Sequence, residues 1–268
     1  MKKIIDANFF RNPELEAYLG SDKRNMVVFN EYACMEAYKG DAIKNISKSI
    51  EIVSKFPDQV IILKGTRDVV NLIVSASDLY LLEHKEQTRG FKRFCSDVQR
   101  AVCGYKILAT QILKKGEFAS KQFEKIREDT IKIATAINLL EKSFKSCHLK
   151  YLRKGQKLPD KLSDKIVHDI LMFAVILFKE YTNFLELPKY DQMRNTYIFR
   201  LAISNYLLGL RWISEGGPGK VSKEKLQNDI VDMGYVAYAS FFDGLLTRDI
   251  KMKQIYQDVC LFLNEIYI

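Results

Sequence analysis

The sequence is poor in the residues that break regular structure or build disulfide and zinc sites. Its 268 residues include 13 glycines, 5 prolines and 3 histidines. So few glycines and prolines argue against collagen, long linkers and an all-β sandwich with many turns. The five cysteines are odd in number and form no Cys-x-x-Cys pair. They therefore indicate reduced thiols in a cytoplasmic protein rather than a disulfide framework or a zinc site.

Long hydrophobic segments are also missing. The longest unbroken apolar run, Ile170–Phe178, has nine residues, whereas a membrane span needs about 20, so we expect a buried helix there. The N-terminus begins with two lysines and a short apolar stretch, but Asp6, Asn8 and Arg11 interrupt that stretch. No signal-peptide core forms. We therefore expect a cytoplasmic protein that does not enter the membrane.

Basic residues are concentrated in the middle of the chain. The net charge is +9, yet the segment Lys85–Lys165 alone holds 20 Lys and Arg against 9 Asp and Glu, a net charge of +11. A basic segment of this kind indicates a polyanionic partner, although solvated lysine-rich helix faces would read the same way. We expect nucleic-acid contacts from Lys92, Arg93, Arg100, Lys114, Lys115, Lys150, Arg153 and Lys154.

Short runs rich in Val and Ile are typical of buried parallel strands, and they lie at Lys3–Ile5, Met26–Phe29 and Val60–Leu63. Near the other end of the chain, Gly244–Thr247 is also predicted to form a strand. Helical spacing fills the intervals Pro13–Leu19, Asn30–Lys55 and Met252–Leu263. From Thr66 to Leu210 only helices are indicated, with breaks near Gly90, Gly116, Gly155–Pro159 and Pro188. The sequence predicts an α/β domain of residues 1–84 and 220–268, interrupted by a basic all-α insertion at 85–219.

Acidic residues follow the predicted strands. In an open parallel sheet, ligands bind beyond the carboxyl ends of the strands. Clustered carboxylates there repel one another unless a cation neutralises them, and Mg²⁺ takes oxygen ligands. Two such ions support phosphodiester hydrolysis. The candidate ligands are Asp6, Glu31, Glu36, Asp229, Asp232 and Asp249.

Four of these positions carry motifs that resemble those of PIN-domain nucleases: IIDAN, CMEAYKG, the acid at 232 and LLTRD. The resemblance covers about residues 1–65 and 222–268. It implies a three-layer α-β-α fold with a central parallel sheet, and Mg²⁺ or Mn²⁺ held by carboxylates. The metal-ligand and catalytic places fall on Asp6, Glu36, Asp232 and Asp249. Supporting places fall on Asn8, Thr247, Asp229 and Asp243.

The resemblance implies an endonuclease, with RNA favoured because most of the resembling family cuts RNA. The alternatives are a non-catalytic nucleic-acid or protein-binding module on a degenerate scaffold, and a structure-specific DNA nuclease. Two ligand choices stay open: Asp229 in place of Asp232, and Glu31 in place of Glu36. Glu31 and Glu36 differ by about 140° around a helix, so only one should face a metal. A homo-oligomer and an inhibitory or regulatory partner protein also stay open.

Overall fold

The computed structural model describes residues 1–145, 148, 149, 151, 159–182, 186–216 and 222–265. The strands are β1 (Lys2–Ile5), β2 (Met26–Phe29), β3 (Val60–Ile62) and β4 (Leu245–Leu246). The first helices are α1 (Pro13–Ser21), α2 (Glu31–Glu36), α3 (Ala42–Ile50) and α4 (Thr66–Val69). The later helices are α5 (Lys85–Val102), α6 (Lys106–Ser143), α7 (Asp160–Tyr181), α8 (Tyr190–Met193), α9 (Tyr197–Ser214), α10 (Lys223–Ala239) and α11 (Ile250–Glu265).

The four strands form one parallel sheet in the order β3-β2-β1-β4. Ile4 pairs with Val28 of β2 on one side and with Leu245 of β4 on the other. Ile4, Val27 and Val28 are fully buried, as expected for strands covered on both faces. The structure therefore confirms an α/β fold whose parallel sheet is built from both ends of the chain.

Strand pairing brings the two chain ends together at one edge of the sheet. Ile5, the last residue of β1, pairs with Leu246, the last residue of β4. The backbone N–H of Asp6 donates to the carbonyl of Leu246 at 2.9 Å. Since the strands are parallel, Asp6 and Thr247 leave the sheet side by side at its carboxyl edge.

The single helix predicted over Asn30–Lys55 is wrong. Asn30 caps the start of α2 as expected, because its side-chain oxygen accepts from the N–H of Ala33 at 2.9 Å. The helix then ends, and Gly40 turns the chain with φ of +85° before Asp41 caps α3. That backbone conformation suits glycine, which has no Cβ to clash.

The helix breaks predicted at Gly90 and Gly116 are also wrong. Both glycines lie inside helices, Gly90 in α5 and Gly116 in α6. Gly116 has a packing role, because a Cβ placed on it would lie 2.6 Å from the Cβ of Ala42 in α3. The other breaks agree better: Pro159 precedes α7 and Pro188 lies between α7 and α8. Among described residues, the region from 66 to 210 forms isolated bridges but no strand, as predicted.

One continuous core joins the helical segment to the sheet. Its buried residues include Ile4 of β1, Phe91 of α5, Ile170 of α7 and Trp212 of α9. The apolar run at Ile170–Phe178 lies within α7, where Ile170 and Phe178 are buried as expected. Nowhere in the described chain is a helix long and apolar enough to cross a membrane.

Two predicted features lie at least partly outside the described residues. Lys150, Arg153 and Lys154, from the predicted nucleic-acid surface, are not among them. The boundary predicted at residue 220 also falls outside the described ranges.

Candidate active site

Asp6 and Thr247 form the centre of a hydrogen-bonded group at the carboxyl edge of the sheet. The Thr247 hydroxyl donates to Asp6 Oδ2 at 2.6 Å. The hydroxyl oxygen of Thr247 also accepts a hydrogen bond from the backbone N–H of Asp249 at 3.0 Å. Both Asp6 and Thr247 are buried. Thr247 therefore hydrogen-bonds to two of the predicted acids, and its supporting role at the site stays a prediction.

Asn8 also connects the segment after β1 to the segment after β4. Its backbone N–H reaches Asp6 Oδ1 at 3.5 Å, and its side-chain amide reaches the Thr247 hydroxyl at 3.4 Å. Its side-chain oxygen accepts from the N–H of Arg248 at 3.1 Å. Asn8 thus ties the loop after β1 to the loop after β4.

Asp249 also starts the last helix. Its Oδ1 accepts from the N–H of Met252 at 3.0 Å, which is an N-cap bond for α11. The capping bond and the bond from its own N–H to Thr247 fix the carboxylate beside Asp6. The carboxylate of Asp249 therefore both caps the helix and adds negative charge to the site.

Glu36 enters the site from the end of α2. Tyr235 of α10 donates its hydroxyl to Glu36 Oε2 at 3.2 Å. Burial raises the pKa of Tyr235 well above its usual value, and the charges of Glu36, Asp6 and Asp232 raise it further. Tyr235 therefore remains a protonated donor that orients Glu36.

Asp232 completes the acidic cluster, which we define as Asp6, Glu36, Asp232 and Asp249. Burial raises the pKa of Asp232 to about 8, and the negative charges of the other three members contribute to the same shift. Lys251 opposes the shift. Burial also raises the pKa of Asp6, with a smaller contribution from Asp249, while the Thr247 hydrogen bond lowers it. Four acids from four separate segments therefore share one electrostatic environment.

The two ligand choices left open by the sequence differ in their contacts. Asp229 does not join the cluster, because its carboxylate accepts from Trp212 Nε1 at 3.1 Å and forms an ion pair with Lys251. Glu31 accepts from the backbone N–H of Thr66 at 2.7 Å, at the start of α4. Both acids already have structural partners, which favours Asp232 and Glu36 for the cluster.

Asp243, predicted to support the site, lies elsewhere. Its Oδ2 accepts from the backbone N–H of Lys2 at 2.6 Å, and its own N–H donates to the Lys2 carbonyl at 2.8 Å. Lys2 begins β1, so Asp243 lies at the amino edge of the sheet, opposite Asp6. The support expected from Asp243 is wrong, because the strand length separates it from the acidic cluster.

The cluster fits a hard divalent cation in its chemistry but is not already assembled around one. Carboxylates are the ligands that such cations prefer, and a bound cation would relieve the repulsion that raises the pKa of Asp232. However, among the described residues no three His, Cys, Asp or Glu side chains converge into a group that could hold a metal ion. Metal binding would therefore need side-chain rearrangement within the cluster.

A polar cleft of about 370 Å³ adjoins the cluster. Asn8 and Glu36 line it on the acidic side, and the basic residues Arg11 and Lys39 line it as well. These two cations were missed in the sequence, where Arg11 was notable only for interrupting an apolar stretch. The sequence feature that could have identified them is their closeness to the predicted acids: Arg11 follows Asp6 by five residues and Lys39 follows Glu36 by three.

Two further functional positions were missed in the same way. Tyr235 follows Asp232 by three residues and contacts Glu36, while Lys251 follows Asp249 by two and pairs with Asp229. A tyrosine or lysine near an acid is too common for the sequence to identify it. Only the packing of α10 and α11 shows which acid each one meets.

The described part of the predicted nucleic-acid surface lies on two adjacent helices. Lys92, Arg93 and Arg100 are exposed on α5, and Lys114 and Lys115 are exposed on α6. Arg93 and Arg100 both approach the carboxylate of Asp97, at 3.9 and 3.8 Å. Arg100 also stacks over the ring of Tyr105 at 4.3 Å.

Comparison with known proteins gives no match to a family model, a curated protein or a solved structure. The likeness to PIN-domain nucleases therefore stays a prediction that depends on the four sequence motifs.

Proposed function

We propose that this protein is a metal-dependent endonuclease of the PIN-like type, with RNA as the favoured substrate. The proposal is carried by the acidic cluster, in which the negative charges of Asp6, Glu36 and Asp249 act on the carboxyl of Asp232. The sequence motifs predict these four acids in this order, and parallel sheets bind ligands beyond the carboxyl ends of their strands. Folding alone does not favour such a concentration of like charge.

The cluster provides the ligands for metal-assisted hydrolysis. Asp6, Glu36, Asp232 and Asp249 would hold one or two divalent cations. When bound, Mg²⁺ or Mn²⁺ supplies charge neutralisation for a phosphodiester and acidifies water. Thr247 keeps Asp6 and Asp249 in register, because its hydroxyl bonds to both residues.

The adjoining cleft supplies the complementary charge. Arg11 and Lys39 would contact backbone phosphates of the strand, next to the carboxylate of Glu36. Such contacts are independent of base sequence. The exposed basic residues of α5 and α6 would extend the surface for a longer strand.

A cleavage assay tests the proposal. Labelled single-stranded RNA, single-stranded DNA and branched DNA are incubated with Mn²⁺, Mg²⁺ or EDTA. We expect cleavage of RNA that requires the metal and falls at least about 100-fold in Asp6→Asn, since removing one charged group of a metal site costs several kcal/mol. Asp232→Asn should give the same loss.

Two matched variants serve as controls. Asp243→Asn changes an acid at the opposite edge of the sheet and leaves an oxygen that can accept from Lys2. Glu31→Gln changes an acid on the same helix as Glu36 but outside the cluster. Both should cleave within about twofold of the wild type, because a twofold change is well under 1 kcal/mol. Full activity of folded Asp6→Asn would refute the assignment.

Two other functions are separated by the same assay. Cutting of branched DNA but not RNA would identify a structure-specific DNA nuclease with the same acids. The exposed basic residues of α5 and α6 favour a non-catalytic nucleic-acid-binding module as the second candidate. That module would bind nucleic acid in a salt-dependent manner, without a divalent cation and without cleavage.

A further inference from the structure

A second, larger cavity lies between the sheet and helices α2, α3, α5 and α6, and it shares the wall residues Phe10 and Ser49 with the cleft beside the acidic cluster. Its volume is about 700 Å³, which is within the range of small-molecule sites. Its wall consists mainly of apolar side chains, among them Phe29, Tyr38, Phe91 and Phe94. A lining of this kind binds the apolar body of a ligand.

Helix packing explains why the cavity exists. Gly116 brings α6 into close contact with α3, where its missing Cβ makes room for Ala42. Gly90 on α5, in contrast, has no atom within 4 Å of the position where its Cβ would lie, and it lines the cavity. The helices therefore pack closely at Gly116 and leave open space at Gly90.

Cations occupy one part of the cavity wall. Lys114 and Lys115 of α6 line it together with Phe118, whose side chain is 65% exposed. Lys115 Nζ lies 5.4 Å from the centre of the Phe94 ring. Exposed lysines next to an exposed phenylalanine mark the mouth of the cavity, where an anionic group can stay hydrated while an apolar chain is buried.

The other polar groups of the wall offset the charge of the two lysines only in part. Among the described residues that line the cavity, the single carboxylate is Glu31, and its Oε2 already accepts from the N–H of Thr66. Burial raises the pKa of Cys34 to about 12, so this thiol stays neutral. The net charge of the lining is positive, which favours an anion over a cation.

We infer that this cavity binds a single-chain carboxylic acid of the fatty-acid type. The apolar chain would occupy the aromatic interior, and the carboxylate would meet Lys114 and Lys115 at the mouth. The inference does not depend on the proposed nuclease activity. The two sites are neighbours with different linings: Met35 of α2 lines the cavity, whereas Glu36 lines the adjoining cleft and belongs to the acidic cluster.

Titration calorimetry in EDTA tests the inference with dodecanoate, decanoate, dodecyltrimethylammonium and AMP. We expect saturable 1:1 binding of dodecanoate. Decanoate should bind roughly tenfold more weakly, because it buries two fewer methylenes. Dodecyltrimethylammonium should also bind at least about tenfold more weakly, because it loses the charge-assisted contacts to lysine.

Two sets of variants test the apolar interior of the cavity and the lysines at its mouth separately. Gly90→Trp fills the open position and should abolish dodecanoate binding, whereas Ser96→Trp on the same helix, outside the lining, should not. Lys114→Gln with Lys115→Gln should weaken dodecanoate about tenfold, whereas Lys106→Gln with Lys121→Gln should leave it unchanged. Circular dichroism confirms that each variant is folded.

Three results would overturn the inference. They are no saturable dodecanoate binding to the folded wild type, equal affinity for the cationic and anionic amphiphiles, or AMP binding more tightly than dodecanoate.

Discussion

Asp232 combines burial with three neighbouring negative charges, and this combination makes its protonation sensitive to pH. Its carboxyl has a pKa of about 8 in the folded protein, against 3.8 when unperturbed. The folded state therefore holds a proton that the unfolded state releases between these two values. In the absence of a metal, folding stability must fall as pH rises through this window.

Urea unfolding in EDTA at pH 5, 6, 7 and 8 measures this contribution. The wild type should lose stability with rising pH by up to about 1.4 kcal/mol per pH unit from Asp232. Asp232→Asn removes the titrating group, so its unfolding free energy should depend less steeply on pH and exceed that of the wild type at pH 8. Parallel pH profiles for the two proteins would contradict the pKa of about 8.

Divalent cations should stabilise the same site. A cation at 100 times its dissociation constant stabilises the folded state by about 2.7 kcal/mol. We therefore expect Mn²⁺ to raise the melting temperature of the wild type by several degrees, and EDTA to reverse the shift. Asp6→Asn should lose most of the shift, while Asp243→Asn should keep it. An equal shift in both variants would place the bound cation outside the acidic cluster.

At the scale of elements, two glycines inside long helices show why local sequence does not predict packing. The sequence treats Gly90 and Gly116 alike, as breaks in a helical pattern. In the structure Gly90 faces open space, and Gly116 lies against Ala42 of another helix. The two glycines differ because Gly116 contacts Ala42, which lies more than 70 residues away in the chain. No local sequence pattern encodes that contact.

The same substitution at both glycines should have opposite effects. Gly90→Ala should stabilise the protein by about 0.5–1 kcal/mol, because alanine costs less backbone entropy in a helix. Gly116→Ala gains the same propensity but forces α6 away from Ala42, and overpacking costs about 1–3 kcal/mol. Urea unfolding at one pH compares the two variants, and a gain at both positions would mean that α3 and α6 adjust freely.

For the whole molecule, the sequence predicted the sheet well and the helices less well. The strands are short runs of Val and Ile that alternate with polar segments, and this pattern is local. The packing of α9 and α11 against α10 is not local, so the Trp212 and Lys251 partners of Asp229 were not predictable. Parallel pairing of β1 with β4 places Asp6 beside Thr247, whereas the positions of Glu36 and Asp232 depend on how α2 and α10 pack.

The basic helix α5 gives a prediction at this scale. Binding of single-stranded RNA in EDTA is measured by fluorescence anisotropy over a range of salt concentrations. Replacing Lys92, Arg93 and Arg100 with Gln should reduce the salt slope by about 2, at about 0.7 per phosphate contact. The matched triple variant at Lys23, Lys48 and Lys253, which are exposed outside the basic segment, should keep the slope. An unchanged slope in the α5 variant would show that this helix does not contact the strand.

The pairing of β1 with β4 has a consequence for the newly made protein. Asp6 and Thr247 are 241 residues apart in the chain yet share a hydrogen bond. At translation rates of about 5–20 residues per second, the ribosome makes Thr247 roughly 12 to 50 s after Asp6. For nearly all of that interval the nascent chain carries Asp6 and lacks Asp232, and throughout it the chain lacks Asp249. The complete acidic cluster forms only when synthesis is almost finished, so the proposed ribonuclease activity would be withheld from the messenger and the ribosomal RNA beside the growing chain.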